Sequence, residues 1–175
     1  MSYDPRKHGA NCDACPRRGS TPVPPEGPKG ARWVWLGQDP GNTEVKKGRP
    51  FVGPTGARLA HLWEAAFREL GKPPVPRAEI FITNAALCAP LSKSESEAKA
   101  AMTACRPRLL RELKQADPEA GVLVMGKWAL HALTGEVKGM GKYQGFHIPI
   151  NIEAAQREAV EASAAMEPVE DDIPF

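Results

Sequence analysis

The spacing of hydrophobic positions predicts several short strands, each a nearly continuous apolar run. The strands are predicted over residues 32–36, 79–83, 121–125 and 144–150. Aromatic and β-branched residues dominate these runs, which is typical of strands that are buried on both faces.

Helical periodicity fills the segments between and after these strands. It predicts helices over about 57–70, 95–114, 127–133 and 152–165. Gly71 is a natural C-cap for the first helix, Ser94 and Glu97 resemble a capping box before the second, and Pro107 predicts a kink. Alternating strands and helices predict an α/β layer fold with a mostly parallel sheet, whose ligands bind at the carboxyl ends of the strands.

The two ends of the chain differ from this pattern. Residues 1–31 are rich in proline and glycine and predict an irregular arm that is part of the domain. The α/β domain then covers residues 32–150. A C-terminal helix follows within 151–166, and residues 167–175 are an acidic tail.

Charge is distributed unevenly, although the formal net charge of the 175 residues is only +2. Residues 151–175 contain seven acids and one base, which leaves 22 bases and 14 acids in the remainder. A basic body predicts a polyanion-binding surface. No apolar run reaches the roughly 20 residues of a membrane helix, and the N-terminus has no apolar signal core. We therefore expect a cytoplasmic protein without a membrane partner.

Four cysteines are candidate metal ligands: Cys12, Cys15, Cys88 and Cys105. Disulfides are not expected in a cytoplasmic chain. Four thiolates bind either tetrahedral zinc or an iron–sulfur cluster, and the spacing alone slightly favours zinc. Such a site would fix the arm to the rest of the domain.

A loop rich in glycine and proline follows the first predicted strand, from Gly37 to Gly56. Closely spaced glycines and prolines form tight turns whose amides face an anion or a planar base. Asp39 would supply a carboxylate to a cleft there, and Phe51 would stack on a base. A structural turn with Phe51 in the core explains the same residues.

The loop and three later segments together resemble the uracil-DNA glycosylase superfamily, in particular its iron–sulfur branch (family 4). The matching segments are GQDPGNTEVKKGRPFVGPTGARL at 37–59, ITNAALCAP at 82–90, ACRPRLLREL at 104–113 and VLVMGKWALHAL at 122–133. The resemblance implies an α/β/α sandwich with a four-stranded, mostly parallel sheet. It also implies a [4Fe–4S] cluster on the four cysteines, with zinc as the alternative.

Site residues follow from the same resemblance, position by position. Phe51 matches the aromatic residue that stacks on the extruded uracil, and Asn84 matches the residue that reads the base edge. Gln38 belongs to the same base-binding set. Asp39 and Asn84 would be the catalytic pair of an active enzyme, with Asp39 assisting the attack of water.

The chain also departs from this family. The family's second catalytic motif, His-Pro-Ser or His-Pro-Ala, is absent, and the nearest sequence is His147-Ile148-Pro149. Leu91-Ser92-Lys93-Ser94 stands where the family carries Asn-Arg-x-Pro. Loss of a preorganised donor costs about 100- to 1000-fold in rate, so weak or absent glycosylase activity is expected. Candidates for DNA-phosphate contacts are Lys46, Lys47, Arg49, Arg58, Arg106 and Arg108.

The last residues resemble the C-terminal tip of bacterial single-strand DNA-binding proteins. This partner-binding segment comprises Asp171, Asp172, Ile173, Pro174 and Phe175. In such a tip the acids steer towards a basic rim and the terminal Phe fills an apolar pocket. The resemblance implies replication and repair enzymes as partners, in a bacterial or phage-infected cell.

The sequence therefore leaves three hypotheses. The main one is a non-enzymatic single-stranded DNA-binding protein built on a glycosylase-like fold, recruiting partners through its tail. The alternative is an active uracil-DNA glycosylase in base excision repair. A third, weaker hypothesis is an adaptor that displaces single-strand DNA-binding protein from its partners.

Overall fold

The computed structural model of the chain describes residues 3–135 and 151–169. The predicted fourth strand at 144–150, the His147-Ile148-Pro149 sequence and the terminal segment 170–175 lie outside the described residues. The predictions for these three segments are therefore neither confirmed nor corrected.

The described sheet is parallel and has three strands in the order β2-β1-β3. The strands are β1 (Trp33–Gly37), β2 (Ile80–Asn84) and β3 (Gly121–Val124). Gly37 lies opposite Asn84 in the pairing of β1 with β2, so these two strands end at the same level. The predicted α/β fold with a parallel sheet is confirmed.

Five α-helices accompany the described sheet: α1 (Asn42–Lys47), α2 (Pro54–Glu69), α3 (Glu95–Ala116), α4 (Lys127–Thr134) and α5 (Ile152–Ala164). Short 3-10 helices occur at Pro5–His8 and Arg77–Glu79. Helix α1 lies inside the loop that the sequence predicted to be irregular. Helix α3 continues through Pro107.

Side chains of β1 alternate between two cores, which places helices on both faces of the sheet. Val34 and Leu36 pack in the core that contains α3, α4 and α5. Trp33 and Trp35 pack on the other face, against Trp63 of α2. This alternation has the period of two that a β-strand imposes, and the result is an α/β/α arrangement.

The N-terminal arm is held along the outer edge of β2 and against α3. The backbone of Glu26 forms a two-bond antiparallel bridge with Ile82, and the Val23 amide donates to the Leu87 carbonyl over 2.8 Å. The Asn11 amide donates to the Ala104 carbonyl of α3 over 2.9 Å. These contacts bring the Cys-x-x-Cys segment close to the middle of α3.

Helix α5 begins where the sequence predicted a cap. The Asn151 side chain accepts a hydrogen bond from the Ala154 amide over 3.0 Å, which satisfies one of the free amides of the first turn. The arm contacts the far end of this helix, because the Asn11 side chain donates to the Ser163 carbonyl over 2.7 Å.

Candidate functional site

A cleft of about 540 Å³ opens at the carboxyl ends of the strands. Gly37 and Asn84 line it at the ends of β1 and β2, and Met125 lines it directly after β3. Asp39 and Phe51 enter from the loop that follows β1. The parallel sheet therefore brings together four of the site residues that the sequence predicted: Gln38, Asp39, Phe51 and Asn84. The carboxyl ends of the strands are the usual place for a ligand in this class of fold.

Gly37 provides the space in which Phe51 and Asn84 approach each other. A Cβ atom at Gly37 would lie 2.4 Å from Asn84 Oδ1 and 2.7 Å from Phe51 Cζ. Both distances are well below van der Waals contact, so any larger residue would displace one of the two side chains. The aromatic ring and the amide thus flank one narrow slot.

Phe51 is held in an unusual backbone conformation, with φ of 52°. A non-glycine residue with positive φ is strained and persists only where its surroundings fix it. The Arg77 guanidinium donates to the carbonyls of Pro50 over 2.7 Å and Phe51 over 3.3 Å. Gly56 of α2 packs directly on this backbone, since its Cβ would lie 2.0 Å from the Phe51 carbonyl oxygen.

Asn84 is held through its backbone by a buried arginine of α3. Arg108 donates to the carbonyls of Asn84 over 2.7 Å and Ala85 over 2.8 Å, and to Thr83 Oγ1 over 3.0 Å. Glu112 balances its charge at 2.7 Å. The Asn84 side chain makes no hydrogen bond to another described residue, so its amide remains available to a ligand in the cleft.

The burial of two arginines corrects the expected set of phosphate contacts. Arg108 is completely buried and Arg106 is 7% exposed. Arg106 donates to the Ala132 carbonyl over 2.8 Å. Both guanidiniums therefore form contacts inside the protein and are not exposed to DNA phosphates. The spacing of apolar residues along α3 does not predict this burial. Residues 104–110 are all buried, so no exposed face of the helix separates the arginines from the apolar residues.

The other four phosphate candidates are exposed: Lys46, Lys47, Arg49 and Arg58. The two lysines belong to α1 and Arg58 to the first turns of α2, the helices that begin beside the cleft. Arg49 pairs with Glu26 over 3.0 Å. These residues place positive charge near the cleft, and their contact with DNA stays a prediction.

Gln38 connects the cleft to the start of α4. Its Oε1 accepts a hydrogen bond from the Trp128 amide over 3.0 Å. Gly126 adopts φ of 102°, and a Cβ there would lie 2.6 Å from the Gln38 side chain. Gln38 therefore caps a helix as well as lining the cleft, and its role in base binding stays a prediction.

Asp39 presents a partly buried carboxyl group to the cleft. Burial raises its pKa above the ordinary aspartate value, and the nearby Arg17 guanidinium partly opposes this rise. Arg17 Nη1 lies 3.5 Å from Asp39 Oδ2. A carboxylate of raised basicity facing a cleft can accept a proton from water more readily than an exposed one.

Glu44 shapes the loop between α1 and α2, and the sequence analysis missed it. Its Oε1 accepts from the amides of Val52 over 3.1 Å and Gly53 over 2.7 Å. The carboxylate thus occupies the N-terminus of α2, where negative charge is favoured. Nothing in the sequence pattern distinguishes this glutamate from an exposed charge.

The four cysteines line a second, smaller cavity of about 190 Å³. Cys12 and Cys15 come from the arm, Cys88 from the loop after β2, and Cys105 from α3. All four are free thiols. The fold therefore brings together residues from three distant segments, as the sequence predicted.

The chemistry of this cavity suits soft metal binding. Burial and the neighbouring thiols raise the pKa of Cys15 to about 11 and of Cys88 to about 12. Among the described residues, no three histidine, cysteine or acidic side chains converge closely enough to hold a single metal ion. All four cysteines nevertheless line one cavity, and thiolate sulfur is the ligand of both zinc and iron–sulfur clusters.

Comparisons with known proteins show which family the chain belongs to. Residues 24–162 match the model of the uracil DNA glycosylase superfamily. A type-4 uracil-DNA glycosylase of Pyrobaculum aerophilum is 31% identical over 82% of this chain and 74% of its own length. Those of Saccharolobus solfataricus and Thermotoga maritima are 29% and 32% identical, over 74% and 68% of this chain.

The matches cover only part of the length of the related proteins. The chain aligns with only 58% of the length of the Saccharolobus and Thermotoga proteins. The superfamily match, however, includes the whole described sheet and every residue that lines the cleft at the carboxyl ends of the strands. The chain therefore belongs to the uracil-DNA glycosylase superfamily and is homologous to its type-4 members.

Proposed function

We propose that this protein removes uracil from DNA. The observation that carries the proposal is the convergence of Phe51, Asn84 and Asp39 on one cleft at the carboxyl ends of the strands. The related proteins are named uracil-DNA glycosylases, which favours the enzyme over a non-enzymatic single-stranded DNA-binding protein.

Recognition of the base begins with its extrusion from the DNA stack. An enzyme that acts on a base inside DNA must take the base out into a pocket, where stacking and hydrogen bonds read it. Phe51 supplies the stacking face, and the Asn84 amide, which makes no hydrogen bond to another described residue, supplies a donor and an acceptor for the edge of uracil. The strained backbone of Phe51 and the Arg108 contacts to Asn84 keep both groups in place before DNA binds.

Hydrolysis of the glycosidic bond needs a water molecule and a stabilised sugar cation. In the proposed reaction the C1′–N1 bond breaks, and uracil leaves with the electron pair. The water oxygen bonds to C1′, and Asp39 accepts the proton. The Asp39 carboxylate also stabilises positive charge on the sugar, and the raised pKa makes it a better proton acceptor.

The reaction is expected to be slow, because one donor of the family is absent from the sequence. No His-Pro pair occurs anywhere in the chain. Without a preorganised donor to the leaving uracil, the rate falls by about 100- to 1000-fold. We therefore expect uracil excision to be detected best under single-turnover conditions, with enzyme in excess of substrate.

The cysteine cavity is proposed to hold a [4Fe–4S] cluster on Cys12, Cys15, Cys88 and Cys105, with zinc as the alternative. When bound, the group supplies metal–thiolate bonds that join the arm to α3 and to the loop after β2. A cavity shared by four free thiols supports this assignment. Iron and sulfide analysis of purified protein distinguishes the two metals, since a zinc site contains neither.

A second candidate function is binding of single-stranded DNA without excision, with partner recruitment by Asp171–Phe175. The missing His-Pro pair and the acidic tip favour it. It predicts salt-sensitive binding that prefers single strands, and loss of protein partners when residues 171–175 are deleted. Equal affinity for single and double strands would count against it.

One assay separates the two functions. The protein is incubated in excess with an oligonucleotide that contains one uracil, and the abasic site is then cleaved with alkali. The enzyme predicts strand breaks at the uracil position and none in a thymine control. A gel shift without strand breaks at any protein concentration would favour the binding protein instead.

Proposed contacts with the DNA backbone involve Lys46, Lys47 and Arg58. Their exposure and their positions on α1 and α2 support the proposal. Phosphate contacts of this kind fix the protein on DNA without reading its sequence.

None of the helices in the described part of the chain has the length and apolar character of a membrane-spanning segment.

A further inference from the structure

Arg17 lies between the two cavities, and the sequence motifs give it no role. It belongs to the arm, two residues after Cys15, and its side chain is completely buried. It is among the residues that line the cysteine cavity. It also contacts Asp39, which lines the base cleft.

Two of the three guanidinium nitrogens of Arg17 have partners. Nε donates to Glu97 Oε1 over 2.6 Å. Nη1 donates to the Cys88 carbonyl over 2.8 Å, and the same nitrogen lies 3.5 Å from Asp39 Oδ2. One nitrogen therefore joins the backbone of a cysteine-cavity residue to the carboxylate of the cleft.

The third nitrogen, Nη2, is buried and has no hydrogen-bond partner among the described residues. A buried donor without a partner costs about 1–3 kcal/mol, more when it is charged. Buried polar groups of this kind mark a missing ligand or water more often than a real deficit. Because Arg17 lines the cysteine cavity, a group held by the cysteines would offer an acceptor for this N–H.

We propose that Arg17 is a positioning residue that couples the group bound by the four cysteines to the Asp39 carboxylate. The part that concerns the cysteine cavity rests on the proposed [4Fe–4S] cluster, and the effect on catalysis rests on the proposed excision of uracil. The guanidinium is a rigid planar fork. Fixing Nη2 at the cavity therefore fixes where Nη1 faces Asp39.

Coupling of this kind is reciprocal, and this property makes it testable. Arginine near an iron–sulfur cluster favours its reduced, more negative state, by charge and by N–H donation. Removal of Arg17 therefore lowers the reduction potential. Asp39 partly neutralises the charge of Arg17. Removal of this negative charge therefore makes the electrostatic potential at the cluster more positive and raises its reduction potential.

The experiment measures the reduction midpoint potential of the iron-loaded protein in a set of variants. Arg17→Gln and Arg17→Lys are both expected to shift the potential to more negative values, because lysine keeps the charge but cannot span both cavities. Arg32→Gln is the matched control, since the Arg32 side chain forms an exposed ion pair with Glu119 and does not line either cavity among the described residues. Its potential is expected to equal that of the wild type.

A double-mutant cycle tests the link to the cleft. Asp39→Asn, which preserves side-chain shape, is expected to shift the potential to more positive values in the wild-type background. The shift is expected to shrink or vanish in the Arg17→Gln background. An Asp39→Asn shift of the same size in both backgrounds would overturn the coupling, and full rescue by Arg17→Lys would overturn the role of the fork.

A second readout follows Asp39 itself and needs neither turnover nor a stable potential. The Asp39 carboxyl carbon is titrated by NMR in the wild type and in Arg17→Gln, with Asp39→Asn to assign the signal. Arg17 on the arm lowers the pKa of Asp39, whereas Glu97 on α3 raises it. Loss of Arg17 should therefore move the titration to higher pH, and an unchanged titration would contradict the contact.

Failure of this proposal and failure of the proposed function give different results. If the protein excises no uracil but the potential and the titration respond as expected, the coupling stands and the glycosylase activity does not. If uracil is excised but neither quantity responds to Arg17→Gln, the activity stands and the coupling is wrong.

Discussion

The base cleft and the cysteine cavity are built in different ways, although Arg17 contacts residues of both. The cleft forms where adjacent strands of a parallel sheet end, and its backbone is tied by sheet hydrogen bonds such as that from the Ala85 amide to the Gly37 carbonyl. The cavity is lined by the arm, a loop and α3, which are far apart in sequence.

Because of this difference, substitutions at the two sites are expected to affect different properties, the reaction rate at the cleft and the folding stability at the cavity. A substitution in the cleft changes groups that are proposed to contact uracil, while the sheet beneath them persists. A substitution in the cavity removes one attachment of the arm, which covers the edge of β2. We therefore expect cavity variants to lose folding stability first and cleft variants to lose rate first.

The largest expected effect is the loss of a cysteine. Cys105→Ser should abolish iron binding and lower the free energy of unfolding by about 4 kcal/mol or more, the range of a lost metal site. Thermal unfolding and iron analysis measure both changes. Thr103→Ser, two residues away on the same helix, is the control. Full iron content with wild-type stability in Cys105→Ser would show that Cys105 is not a ligand.

Removal of the Asp39 carboxylate should have the next largest effect. Asp39→Asn is expected to reduce the single-turnover excision rate by about 100- to 10,000-fold, the usual contribution of a positioned acid or base. Unfolding temperature should change little. Asp13→Asn is the control, because Asp13 is an exposed acid of the arm. A rate within threefold or so of wild type would exclude Asp39 as the base.

The pH dependence of the wild type follows from the same group. Only the deprotonated carboxylate accepts a proton, so the rate should fall as the pH drops through the pKa of Asp39. Burial raises that pKa, and the acid limb should therefore lie above the ordinary aspartate range. A pH–rate profile that stays flat down to ordinary aspartate pKa values would contradict this role.

A smaller effect is expected when the slot between Phe51 and Asn84 is filled. Gly37→Ala places a methyl group against both side chains, and overpacking of this kind costs about 1–3 kcal/mol. Uracil affinity and excision should fall more than stability does. Gly41→Ala is the comparison, since its Cβ would meet only the end of the Glu44 side chain. Equal effects of the two variants would show that the slot is not specific.

The smallest expected effect concerns the exposed lysines of α1. Lys46→Ala and Lys47→Ala should each weaken DNA binding and reduce the salt dependence of log Kd by about one unit. Binding titrations over a range of salt concentrations measure this slope. Lys72→Ala, beyond the opposite end of α2, should leave it unchanged. A slope insensitive to both α1 lysines would remove them from the DNA contact.

Much of the cleft could be predicted because strand ends and glycines leave local signals. Three of the predicted strands can be compared with the structure, and five of their six ends differ from the observed ends by one residue. The loop glycines identified the turn that carries Asp39 and Phe51. The four cysteines line one cavity, but their role as ligands stays a prediction, and their spacing alone slightly favoured zinc.

Other features depend on tertiary contacts that leave no such signal. Arg108 and Arg17 resemble solvated charges in the sequence, but the structure buries both. Glu44 and Arg77 act by holding backbone amides and carbonyls of a distant loop. The capping box before α3 formed only in part, because Ser94 accepts from the Glu97 amide while the Glu97 carboxylate binds Ser92 and Arg17.

Release of free uracil is the most direct test of the central claim. Iron-loaded protein, in excess over a uracil-containing oligonucleotide, is followed by chromatography of the released base, with a thymine oligonucleotide in parallel. We predict release of one uracil per strand by the wild type and strongly reduced release by Asp39→Asn. No free uracil from the fully loaded wild type, at any protein concentration, would contradict the account.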